Sequence, residues 1–145
     1  MIKGTIVKEL KQIKDERGKV MHMIRSDSEL FKGFGEVYFS VVNPGVVKAW
    51  KRHREMTQHF AVPVGAIRLV MFDDRDGSPT NGQVDALEIG EENYCLVRIP
   101  PGVWYGFKGT SKAPAMIANC TDIPHDPKET DKREESDDRI PYVWR

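Results

Sequence analysis

The stretch GVVKAWKRHREMTQHFAVPVG, Gly45 to Gly65, decides the fold. It holds two β-rich runs, Val46–His53 and His59–Val64, bounded by glycines and joined through a polar turn. On an extended strand, alternate side chains share a face, so Val47, Ala49, Lys51 and His53 stand together. Trp50 alternates away and is expected to pack on the opposite face.

Outward from this stretch the chain reads as strands separated by turn residues. Further β-rich runs occur at Ile2–Val7, Lys19–Ile24, Glu36–Val42, Ala66–Phe72, Val84–Ile89, Cys95–Ile99 and Ala115–Asn119. Asn43-Pro44-Gly45, Pro63-Val64-Gly65, Asp76 to Gly82 and Pro100-Pro101-Gly102 punctuate them as turns. Short strands at such regular intervals predict an all-β sandwich, jelly roll or barrel. Only Ser26–Phe34 invites a short helix, with Ser26 or Asp27 as N-cap and Gly33 as its stop. One domain over residues 1–145 is expected. Its charged segment from Asp126 to Arg139 is expected to be solvated, and its aromatic end at Ile140–Trp144 to dock on the barrel.

Twenty-two basic and 22 acidic side chains cancel in these 145 residues, which leaves no net positive field to hold DNA or RNA. Cys95 and Cys120 lie far apart in apolar surroundings and read as buried thiols of a reducing compartment. The stretch MIKGTIVKEL has no apolar signal core and no room for a membrane span, so a cytoplasmic protein without a membrane partner is expected.

The spacing within Gly45–Gly65 resembles the cupin metal motif: glycine, five residues, His-x-His, four residues, an acid, six residues, glycine. Lys51, His53 and Gln58 occupy its three ligand slots, and Tyr105 falls where the fourth ligand would stand in Pro100-Pro101-Gly102-Val103-Trp104-Tyr105. A divalent site wants at least three His, Cys or carboxylate ligands, and only His53 qualifies. The resemblance implies a double-stranded β-helix (jelly-roll) barrel, the ligand count argues against a metal, and no cofactor is expected. In that frame Lys51 and His53 point inward with Gln58, Phe60 and Val62. Burying such groups is costly without a partner or a task; an open, wet rim is the competing reading. His22 and His59 read as structural or surface residues. His125, in the rigid turn Ile123–Pro127, would overhang the pocket, and Trp104 and Tyr105 either wall a binding site or close a barrel end.

The chain also resembles the dTDP-4-dehydrorhamnose 3,5-epimerases. Asp73 to Gly82 repeats that family's D-x-R-x-x-S-P-T-x-G, and Asp15-Glu16-Arg17-Gly18 its D-x-R-G. Gly45 to Lys51 sits on G-V-x-R-G-x-H, Ile99 to Phe107 parallels I-P-x-G-F-A-H-G-F, and Asp137 to Trp144 parallels the closing D-P-x-x-x-I-x-W. What this implies is a proton transfer beside the 4-keto group of a nucleotide-linked deoxysugar, by a histidine base held by an aspartate, an enolate-stabilising lysine and an opposing tyrosine acid.

Carried over by position, the base slot is Lys51, the lysine slot is Gln58, and the tyrosine slot falls near Ile123 to His125. Arg17 stands at a phosphate-binding arginine and Lys48 replaces another, while Asp137, or Asp138 one residue on, matches the aspartate. The preferred arrangement has the Lys51 ammonium stabilise the enolate oxygen while His53 takes the proton, with Tyr105 and His125 as candidate opposing acids. Gln58 and Trp104 are expected to contact substrate. A dTDP-sugar or related nucleotide sugar is the expected ligand, and a homodimer is expected, in which Arg17 would complete the partner's pocket. The alternative is a nucleotide-sugar binder without catalysis, motivated by the joint loss of the family's His, Lys and Tyr.

Overall fold

A computed structural model describes residues 1–145. Its strands are β1 (Ile6–Glu9), β2 (Gln12–Asp15), β3 (Gly18–Met21), β4 (Glu36–Val42), β5 (Val47–His53), β6 (Gln58–Val64), β7 (Ala66–Asp73), β8 (Val84–Gly90), β9 (Cys95–Ile99), β10 (Val103–Gly109), β11 (Ala115–Thr121) and β12 (Thr130–Lys132). One five-stranded sheet runs β1-β9-β6-β11-β4 and a second runs β12-β5-β10-β7-β8, while β2 and β3 form a separate hairpin. The strand pairings within both sheets are antiparallel. This is the expected all-β jelly roll.

The inner faces of the two sheets bury the main core. Phe60, Val62, Val97 and Ile117 of the first sheet meet Ile67, Leu69, Met71, Tyr105 and Phe107 of the second. A smaller cluster lies on the other side of the second sheet, where Trp50, Val70, Phe72, Trp104 and Ile140 are buried together. Trp50 therefore faces away from Lys51, as alternation dictates, and the docked Ile140 covers it with Tyr142 and Trp144.

Two sequence expectations differ from the structure, and one strand was not among the runs read from the sequence. Val103–Gly109, which follows the Pro100-Pro101-Gly102 turn, is a full central strand. Gly106 is there because β5 passes too close for a side chain: an added Cβ would stand 2.5 Å from the Ala49 Cβ. Residues 26–34 form turns, not a helix. Ser28 and Phe31 make three-residue turn bonds to Arg25 and Ser28, and the Leu30 carbonyl accepts from the Arg98 guanidinium. Finally, Pro127–Glu129 forms one 3-10 turn and Thr130–Lys132 adds as an edge strand to β5, so the charged segment is partly built into the sheet. No helix is long and apolar enough to cross a membrane.

Candidate active site

A cavity of about 680 Å³ opens between the two sheets, a volume within the usual range for small-molecule sites. Tyr38 and Ser40 of β4, Phe60 of β6, and Ile117 and Asn119 of β11 form one wall. Lys48 and Lys51 of β5, Tyr105 and Phe107 of β10, and Lys132 of β12 form the facing wall. Arg133, Glu134, Asp137 and Arg139 complete the rim.

A register shift in β5 brings its two lysines together. Tyr105 pairs with Lys51 but Phe107 pairs with Lys48, so the strand bulges between them. Residues three apart, which strict alternation would send to opposite faces, therefore line one cavity. Lys48 Nζ donates to Ser40 Oγ (3.2 Å) and the Val41 carbonyl (2.7 Å). Lys51 sits half-buried between register partners Tyr105 and Lys132. Burial is the main force lowering its pKa, and the neighbouring Lys132 and Lys48 charges lower it further.

His53 is buried directly behind this wall. The Glu129 carboxylate accepts from its Nδ1, and the Tyr105 hydroxyl lies 3.4 Å from its Nε2 with the two rings nearly parallel. Glu129 is itself fixed by the Glu55 and Met56 backbone N–H groups, at 3.1 and 3.2 Å, and by the Thr130 hydroxyl at 3.1 Å. Burial pushes the Glu129 carboxyl upward, but those hydrogen bonds and His53 outweigh it and hold it below the usual carboxylate range. Burial also lowers the His53 pKa, against the opposing pull of Glu129. The resting pair is thus a neutral imidazole beside a carboxylate, with the Nε2 lone pair turned to Tyr105. Burial likewise pushes the Tyr105 hydroxyl far up, with Tyr38 adding to the effect, so it rests protonated.

Of the residues singled out in the sequence, Lys51, Tyr105, Lys48 and Asp137 line the cavity. His53 reaches it only through Tyr105. Asp137 pairs with Arg139 at 2.6 Å and that contact holds its pKa at about 2, so the partner of His53 is Glu129 and not Asp137. Gln58 is buried behind the wall, accepting from Asn119 Nδ2 at 3.0 Å. Trp104 alternates away from Tyr105 into the smaller core, where its indole donates to Asp74 and carries the Arg52 and Arg133 guanidinium groups on its ring. It touches the site only by supporting Arg133. His125 is exposed outside the cavity lining, its backbone N–H bonded to Glu36. Arg17 is exposed at the β2–β3 turn, paired with Asp15 and outside the cavity lining. His59 is structural: Nδ1 donates to the Cys120 carbonyl and Nε2 accepts from the Lys32 N–H.

Sequence reasoning missed Glu129, Tyr38, Asn119, Lys132, Arg133 and Arg139. For Tyr38 and Asn119 the signal was present, since each shares strand parity with a core residue, Val42 and Ile117 respectively. For Glu129 only the Asp126-Pro127 start of a helical turn hinted at local order.

The cavity thus combines a cationic wall with a buried imidazole–carboxylate pair behind it. Residues 1–145 match the family described as dTDP-4-dehydrorhamnose 3,5-epimerase. A crystal structure of a dTDP sugar isomerase from Desulfovibrio desulfuricans superposes with a TM-score of 0.96 at 51% identity, covering 99% of this chain and 92% of that one. The probable low-salt glycan biosynthesis epimerase Agl13 of Haloferax volcanii is 39% identical over 94% of this chain and 85% of its own. The spore coat polysaccharide biosynthesis protein SpsL of Bacillus subtilis is 33% identical over 98% of this chain and 91% of its own. Whole-length agreement in sequence and fold, around a cavity with these groups on its walls, leads to one conclusion: the chain belongs to the dTDP-4-dehydrorhamnose 3,5-epimerase family.

Proposed function

We propose that the chain epimerises a dTDP-linked 4-keto-6-deoxyhexose by proton transfer beside the keto group. One observation carries the reading: the Glu129–His53–Tyr105 line runs from the buried sheet to a cavity that also holds Lys51. A substrate C–H next to the carbonyl gives its proton to the Tyr105 oxygen as the Tyr105 proton passes to His53 Nε2. The products are an enolate and an imidazolium paired with Glu129. The Lys51 ammonium, beside Tyr105 in register, stabilises the enolate oxygen. Lys48, Lys132, Arg133 and Arg139 supply the charge that a diphosphate needs. The placement of a buried imidazole–carboxylate pair next to the cavity favours catalysis over binding alone.

The test is solvent deuterium incorporation at C3 and C5 of dTDP-4-keto-6-deoxyglucose, followed by NMR. Wild-type protein is expected to exchange, and Lys51→Ala and His53→Ala each to lose it by at least about 100-fold. Exchange that survives in both variants sinks the mechanism; binding of the sugar with no wild-type exchange restores the binder.

The reading includes a homodimer. β4 is a sheet edge, and Val37, Phe39 and Val41 on its outer face are exposed, a combination that favours pairing across a two-fold axis. Arg17 on its projecting hairpin would then reach the partner's cavity. Sedimentation at micromolar concentration is expected to give a dimer, and Arg17→Ala to weaken dTDP binding in calorimetry.

A further inference from the structure

Inversion at a carbon needs two proton-transfer groups, one on each face of the sugar ring. Tyr105 and Lys51 stand on the same wall of the cavity, from neighbouring strands of one sheet. With Tyr105 serving the His53 side and His125 outside the cavity, neither sequence candidate remains for the opposite face. The facing wall offers Tyr38, Ser40, Phe60, Ile117 and Asn119. Of these only Tyr38 carries a proton of suitable acidity, since Ser40 is an alcohol already accepting from Lys48.

The geometry points to Tyr38 as the acid that returns the proton on the face opposite Tyr105, with Asn119 as its positioning residue. This rests on the epimerase reading above. Asn119 is almost fully buried and its Nδ2 lies 3.0 Å from both Tyr38 Oη and Gln58 Oε1. Gln58 Oε1 can only accept, so one Asn119 hydrogen goes to it and the other to the Tyr38 oxygen. Tyr38 therefore accepts from Asn119 and keeps its own O–H hydrogen to donate. When that hydrogen leaves to the enolate carbon, the new C–H bond forms and the negative charge moves to the Tyr38 oxygen, where the Asn119 N–H already points. Burial raises the Tyr38 pKa and the Asn119 hydrogen bond opposes that rise, the balance wanted in a group that stays protonated at rest yet releases its proton to a carbanion. The Glu36 and Glu129 carboxylates raise the Tyr38 pKa further and keep it protonated at rest, while Lys48, Lys51, Lys132, Arg133 and Arg139 line the same cavity, with Glu134 and Asp137 at its rim.

The test separates proton removal from inversion. With dTDP-4-keto-6-deoxyglucose in D2O, Tyr38→Phe is expected to slow epimer formation by about 100-fold or more. The Tyr105–His53 side still removes and returns the proton on its own face, so the ratio of exchange to inversion rises by a similar factor. Asn119→Leu is expected to give a smaller loss, about tenfold, with the same rise in the ratio and a shifted pH profile; calorimetric binding of dTDP checks that both variants are folded. Inversion by Tyr38→Phe within about threefold of wild type overturns the assignment, as does equal loss of exchange and inversion. Absence of exchange in wild-type protein would instead remove the epimerase reading, and this assignment with it.

Discussion

Glu129 accepts the Nδ1 hydrogen of His53 and thereby leaves Nε2, the nitrogen facing Tyr105, with its lone pair. The two residues are far apart in sequence, and the side chain of one fixes the tautomer of the other. Replacing Glu129 with Gln keeps size but loses the charge that stabilises the imidazolium. Turnover is expected to fall by about 1,000-fold with little change in KM. Asp137→Asn, made for contrast at the position the sequence favoured, is expected to cost less than about tenfold in turnover. Steady-state kinetics on both variants checks the assignment.

Lys51→Met is expected to lower kcat by about 100-fold or more, because it removes the ammonium beside the forming enolate. Lys51→Arg should recover part of that loss, as charge returns with a bulkier and differently directed donor. A Lys51→Met enzyme with full turnover would show that the enolate is stabilised elsewhere.

The pH–rate profile follows from two shifts of the same sign and opposite consequence. His53 must be neutral to accept a proton, and its pKa is lowered; activity should hold below the ordinary histidine value and fall only as pH drops through the depressed one. Lys51 must be charged, and its pKa is also lowered, so the alkaline limb should begin below the ordinary lysine value. Lys132 is one cause of that lowering. Lys132→Ala should therefore move the alkaline limb upward while raising KM for the anionic substrate. Initial rates across pH for the two proteins measure both effects.

Asp73 is fully buried and accepts from Arg75, Ser78 and Thr80, tying the loop that follows β7 to the sheet. Burial pushes its carboxyl upward, yet these bonds together hold it well below the usual range. Because the folded pKa lies below the unfolded one, this stabilisation is present above pH ~4 and is lost as pH falls toward the folded value. Asp73→Ala would leave the donors of Arg75, Ser78 and Thr80 without this acceptor and is expected to destabilise by about 3 kcal/mol at neutral pH. Urea denaturation at pH 7 and pH 3 tests both parts, and the wild-type and variant curves should draw closer at pH 3.

The jelly roll was legible because period-two alternation and Gly/Pro turns survive in most strands. It was not read at β10, where Gly106 marks the close approach of β5. Chemistry and strand parity singled out Lys51 and Tyr105, which line the cavity, and His53, which lies behind Tyr105. The site was not legible at Glu129, whose partner lies on a distant strand and whose own segment is a charged run with a single turn of 3-10 helix. Tyr38 was readable in principle, but an aromatic on a half-buried strand is ordinary core until the facing wall is known. Lys48 reached the cavity through a bulge, and register shifts leave no mark in an alternating pattern.

The cavity mouth gathers Lys48, Lys51, Lys132, Arg133 and Arg139 against only Glu134 and Asp137, on a chain whose charges sum to zero overall. Seen from a distance such a molecule exerts no net pull on an anion. Within a Debye length, about 8 Å in physiological salt, it acts as a compass. A nucleotide sugar arriving there is turned so that its diphosphate leads, and capture depends on orientation in the last few ångströms more than on long-range attraction.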